Sequence, residues 1–144
     1  MEPLELELVD AEIELVSGID LALLRAGHLT ELEVHRCVVT ATVDRKSTML
    51  VISPEVQQQL NLRVIRSVEA EFADGSSEPY GVVGPVEVRF QNRRTSVEAL
   101  VIPNSTKVLL GEIPMEGMDV LIDPKRERLI VNPDSPDVAK VLLM

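Results

Sequence analysis

Apolar and acidic residues alternate through the opening run LELELVDAEIELV. Leu4, Leu6 and Leu8 fall on one face and Glu5 and Glu7 on the other. After a slip at Val9-Asp10, Ala11, Ile13 and Leu15 resume the alternation. A period of two over this length predicts a half-buried strand, bent or bulged near Asp10. SGIDLALLRAGHL then carries a short helix, with Asp20 as its N-cap and Gly27 just past its end. In LEVHRCVVTATV, Val39, Ala41 and Val43 share one face of a second strand, and Thr40, Thr42 and Asp44 share the other. MLVIS is continuously apolar, as a strand buried on both sides would be. SPEVQQQLNL starts a helix by several rules at once: Ser53 caps, Pro54 suits the first helical position, and Glu55 favours the positive end of the dipole. Asn61 can end it.

Three hairpins follow. In RSVEAEFADGSSEPYGVVG, Val68, Ala70 and Phe72 alternate with Glu69 and Glu71, and Asp74-Gly75 forms the tight turn. VEVRFQNRRTSVEALVI turns around Gln91 to Arg94, and DVLIDPKRERLIVNP turns at Asp123-Pro124. Between the last two, KVLLGEIPMEGM reads as an apolar strand ending at Gly111, then a helical turn. A Pro-containing link leads to the apolar C-terminal tail VAKVLLM. No linker or repeat divides the 144 residues, which read as one domain, 1–144. Many short, regularly spaced strands with two or three short helices predict an all-β barrel or sandwich.

Composition sharpens this picture. One Tyr, two Phe and no Trp leave the core to Val, Leu and Ile, and argue against an aromatic platform for bases or sugars. A net charge of -10 repels phosphate, which speaks against nucleic acid as a partner. The basic groups Arg93-Arg94 and Lys125-Arg126-Glu127-Arg128 lie between strands and read as turn residues. Cys37 is the one cysteine, so no intrachain disulfide forms, and a reducing, cytoplasmic setting is the simplest reading. It sits in a strand pattern with no activating partner, as a buried structural thiol. His28 and His35 are too isolated for a metal site. The acidic N-terminus MEPLELELVD is neither a signal nor a transit peptide, and no apolar run is long enough to span a membrane.

The chemistry-bearing stretch is TATVDRKSTMLVIS. A strand delivers Asp44, and Arg45, Lys46 and Ser47 follow it. Taken with the order of the other pieces, this stretch resembles the retropepsin-like aspartic proteases, and in particular a bacterial group of small retroviral-type peptidases. The order is a strand ending Val43-Asp44, a loop, an apolar strand, a long hairpin with a glycine tip, a second hairpin, then VLLG and a short helix. IELVSGIDLALLRAG and LLGEIPMEGMDVLIDPKRERLIVNP also resemble that group, and the likeness covers about Val9 to Pro133. VDRKS alone is a weak motif; the order and spacing carry the resemblance.

The resemblance implies a closed all-β barrel working as a homodimer on a peptide or protein substrate, with no cofactor and no metal. Asp44 stands at the catalytic aspartate, Arg45 where Thr or Ser is expected, Lys46 where Gly is expected, and Ser47 at the loop's last position. Leu109, Leu110 and Gly111 match the motif that packs beside the active loop, and Asp74-Gly75 the tip of the flap. In such a family two chains each supply one aspartate. The pair shares one proton: one carboxylate activates water while the other polarises the scissile carbonyl. Arg45 has no acceptor with which to bond across the dimer as a Thr hydroxyl does. Lys46 brings a long cationic chain where glycine allows close approach. Four cations beside two aspartates favour two ionised carboxylates, so the shared proton is lost and activity is impaired. Four alternatives stand beside this reading. Arg45 and Lys46 point outward and Asp44 only accepts a salt bridge; the chain is a non-catalytic peptide-binding or regulatory module; it is a purely structural dimeric β-module; or Asp44 is a strand-end turn residue in a β-domain of unrelated function.

Overall fold

A computed structural model describes residues 9–143. Leu4, Leu6 and Leu8 therefore lie outside the described residues. Strand β1 (Val9–Ser17) pairs antiparallel with β2 (Arg36–Val43) without interruption, from Val9 opposite Val43 to Val16 opposite Arg36. The bulge expected near Asp10 does not occur. Val9 is already in phase with Ala11, Ile13 and Leu15, and all four are buried. Asp10 points outward, where its carboxylate accepts from Thr42 Oγ1 at 3.1 Å.

Helix α1 (Gly18–Arg25) follows directly. Its N-cap is Ser17, not Asp20: Ser17 Oγ accepts from the Asp20 amide at 3.2 Å. Asp20 sits one turn in, nearly buried, and its carboxylate instead accepts from the His35 amide at 2.9 Å and meets His35 Nδ1 at 2.7 Å. Gly27 follows the helix in the left-handed region, as expected. Strand β3 (Leu50–Ile52) is buried at every position. Helix α2 (Pro54–Gln59) has Ser53 as its cap, accepting from the Val56 amide, with Asn61 left-handed beyond its end.

The remaining strands are β4 (Val64–Glu71), β5 (Ser77–Phe90), β6 (Arg93–Val101), β7 (Val108–Leu110), β8 (Val120–Asp123) and β9 (Arg128–Val131), with α3 (Glu112–Met118) between β7 and β8. The main sheet runs β1-β2-β7-β3-β6-β5-β4, and β1 also pairs with β5 through Glu14–Ser17 against Val86–Arg89. That last pairing closes six strands into a barrel and leaves β4 outside it. The fold is thus all-β, a closed barrel with three short helices among the described residues.

Strand β5 serves two hairpins. Its first half pairs with β4, and its second half with β1 and β6, with a register shift between Val83 and Val86. Ile13, Leu15, Val43, Leu50, Ile52 and Leu110 lie in the large cluster that fills the barrel. Val51, Val82 and Leu100 form a smaller cluster on the other face of these strands, with Val68, Ala70, Tyr80 and Leu109 packed on it. Burial of these side chains contributes roughly 1.5–3 kcal/mol each.

Arg93 is not the solvated turn residue that its position suggested. Gln91 takes the turn with φ +51°, and Arg93 opens β6 opposite Phe90. Its side chain is 1% exposed and donates to the Ser135 carbonyl, with Asp119 Oδ2 3.9 Å away. Cys37 is half-buried against the main core rather than fully enclosed.

Candidate active loop and its surroundings

Asp44 leaves the end of β2 next to the end of β7, because these strands pair in parallel, Ala41 with Val108 and Val43 with Leu110. The Asp44 amide continues the ladder by donating to the Leu110 carbonyl at 3.0 Å. The loop then turns on itself. The Ser47 amide donates to the Asp44 carbonyl at 3.1 Å, and the Lys46 amide donates to Asp44 Oδ1 at 2.9 Å. This is the local turn that a short carboxylate side chain favours. Ser47 Oγ donates to the Met49 carbonyl at 3.3 Å, so it braces the loop and does not bond the Asp44 carboxylate.

The loop rests on the start of α3. The Glu112 and Ile113 amides donate to the Ser47 and Thr48 carbonyls at 2.8 and 2.9 Å. First-turn amides have no partner inside a helix, and here the loop supplies it. Gly111 permits the contact: a Cβ there would lie 2.3 Å from Met49 O and 2.6 Å from Ser47 O. Leu110 points into the barrel core and Leu109 into the outer cluster. The structure thus brings Asp44, Ser47, Leu109, Leu110 and Gly111 together.

Asp44 is half-exposed, and Arg45 and Lys46 are exposed. Among the described residues no ion pair reaches the Asp44 carboxylate. Arg45 instead lines a cleft of about 290 Å³ together with Glu112, Met115, Glu116 and Val120. There the Glu116 carboxyl is pushed above its ordinary range by its hydrogen bond to Glu112 and that neighbour's charge.

Asp74 and Gly75 form the tip of the β4–β5 hairpin. Gly75 has φ +87°, and the Asp74 carboxylate accepts from Ser76 Oγ and the Ser76 amide, which holds it below the usual carboxylate range. Phe72 and Tyr80 stiffen the hairpin edge to face, 6.0 Å apart. The polar side chains of the hairpin bond locally, Asp74 with Ser76 and Tyr80 with Glu78. Also among those residues, no cluster of three His, Cys, Asp or Glu could hold a metal, and no helix is long and apolar enough to cross a membrane.

Sequence reasoning missed one polar node. Asp119 ends α3 in the left-handed region, where Asp is among the few residues tolerated. Its carboxylate accepts from Asn132 Nδ2 (3.0 Å), Ser135 Oγ and the Lys140 amide (3.0 Å). Those bonds, with a smaller contribution from Arg93, bring its acidity to about 2. The left-handed tolerance of Asp after a short helix was the available signal.

No family model matches the chain, and no curated protein matches it. Among solved structures, a retropepsin-like aspartic protease from Rickettsia conorii is similar, with a TM-score of 0.44, 14% identity, and coverage of 85% of this chain and 90% of that one. A Legionella pneumophila protein of unknown function is also similar, with a TM-score of 0.40, 11% identity, and coverage of 78% and 90%. Both are likenesses of the chain path, and neither bears on the residues of the loop.

Proposed function

We propose that the chain is an aspartic-peptidase half-site that two copies complete, with peptide-bond hydrolysis impaired by Arg45 and Lys46. The observation that carries this reading is the docking of the Asp44 loop. A strand end, the Leu110 carbonyl and the cramped Gly111 seat hold a carboxylate half-exposed at the barrel's edge, available to a second carboxylate. In the dimer, one Asp44 takes a proton from water and its partner polarises the peptide carbonyl. Arg45 and Lys46 oppose this by placing two exposed cations in each loop, where the retropepsin-like motif has uncharged residues.

The test is peptide digestion from acid to neutral pH by the native chain, by the double variant Arg45→Thr/Lys46→Gly, and by each with Asp44→Asn. The double variant is expected to gain at least about tenfold, and Asp44→Asn to abolish the gain. Robust native cleavage that needs Asp44 refutes the impairment. Cleavage indifferent to Asp44→Asn refutes the site.

One observation favours a second reading, a non-catalytic peptide-binding or regulatory module. Strand β4 is the open edge of the sheet and exposes Val64 (59%) and Ile65 (49%). An extended peptide can add to such an edge. A dead double variant that still binds peptides at β4 supports this reading. A chain that stays monomeric at every working concentration counts against the dimeric half-site.

A further inference from the structure

Helix α3 has only seven residues, Glu112–Met118, too few to be stable alone, so its position depends on what grips it. At its first turn it donates two amides to the Asp44 loop. In its middle Pro114 and Met115 are buried, and near its end Gly117 lies so close to β6 that a Cβ would stand 2.3 Å from Thr95 Oγ1. At its end, Asp119 gathers the C-terminal segment. Its carboxylate accepts from Asn132, Ser135 and the Lys140 amide, and its carbonyl accepts from the Asn132 amide at 3.1 Å. The same segment is held from β6: Arg93 donates to the Ser135 carbonyl, and Asn92 Nδ2 to the Pro136 carbonyl at 2.9 Å. Residues 132–140 thus wrap the helix end from two sides.

We infer that this segment is a strap that sets the position of α3 and, through it, of the Asp44 loop. The link is mechanical. Loosening the strap removes the polar hold on Asp119 at the C-terminal end of α3. The packed middle cannot absorb the movement, so the first-turn amides shift against Ser47 and Thr48. The inference goes beyond the proposed chemistry and holds whether or not Asp44 cleaves peptides.

Hydrogen exchange on the full chain tests it. Asp119→Gly and Asp119→Asn both tolerate the left-handed backbone, so they remove or weaken the clamp without straining the turn. Ser135→Ala is the milder variant. Asp119→Gly should speed exchange at the Glu112 and Ile113 amides by about tenfold or more relative to the β5–β6 ladder amides, with Asp119→Asn and Ser135→Ala following in the same direction. Loosened Ser135 and Lys140 amides with native protection at Glu112 and Ile113 overturn the inference. So does equal loosening of the whole barrel in Ser135→Ala, which makes the effect global and not a strap.

Discussion

Gly111→Ala asks whether the Asp44 loop is seated as tightly as its geometry implies. Gly111 has φ -89° and ψ -173°, a backbone that alanine adopts freely, so any cost is steric. The new methyl would stand 2.3 Å from Met49 O, 2.6 Å from Ser47 O and 2.9 Å from the Thr48 carbonyl carbon, all main-chain atoms. Ordinary contact begins at 3.4 Å, so the loop must retreat by about an ångström. That retreat stretches the two bonds from Glu112 and Ile113, each contributing about 0.5–1.5 kcal/mol net. Overpacking of this kind costs about 1–3 kcal/mol. Because strain and bond loss are alternative responses to one overlap, the expected loss is about 3 kcal/mol, not their full sum. For a domain of this size that corresponds to a fall in Tm of roughly 10 °C. Urea and thermal unfolding measure it. A loss below about 0.5 kcal/mol, with the Ser47 and Glu112 resonances unmoved, would show that the loop is not seated on Gly111 and refute the reasoning.

Two further outcomes follow from the charged groups. The folded-state Asp119 carboxyl titrates at about 2 against an ordinary 3.8, so its stabilisation is complete above 3.8 and is lost as pH falls toward 2. The urea midpoint of the native chain should therefore fall faster through that window than that of Asp119→Asn; parallel curves would mean the carboxylate is not held as described. Burial, and secondarily the charge of Glu14, push the Cys37 thiol up, so at neutral pH it should react with a disulfide reagent several-fold more slowly than an unhindered thiol, with Glu14→Gln faster than native. Equal rates in native and Glu14→Gln proteins would remove Glu14 from the explanation.

Much of the fold was legible because it is written locally. The two-residue period marked β1, the unbroken apolar run marked β3, Ser53-Pro54 opened α2, and Asp74-Gly75 closed a hairpin. What escaped was non-local. Nothing in the period of β5 reveals that one 14-residue strand serves two hairpins, or that its second half closes the barrel on β1. Arg93 looked like a turn residue because it lies between strand-like runs; its inward course depends on the Ser135 carbonyl, 42 positions away. At the loop, the order of elements placed Asp44 beside Gly111. The direction of Arg45 was beyond reach, because a long exposed side chain is set by its surroundings and not by its own strand.

Among the described residues, the turn at Asp44 is held by main-chain groups, Asp44 and Ser47: Asp44 N donates to the Leu110 carbonyl, Ser47 N to the Asp44 carbonyl, Lys46 N to Asp44 Oδ1, Ser47 Oγ to the Met49 carbonyl, and the two α3 amides to the Ser47 and Thr48 carbonyls. Any residue except proline can supply the Lys46 amide, and neither Arg45 nor Lys46 has a left-handed backbone, so the glycine expected there is not required for the turn. Arg45→Thr/Lys46→Gly therefore changes the charge and space around Asp44 while keeping every main-chain donor and acceptor named above, so the turn that presents Asp44 retains those bonds when the two cations are removed.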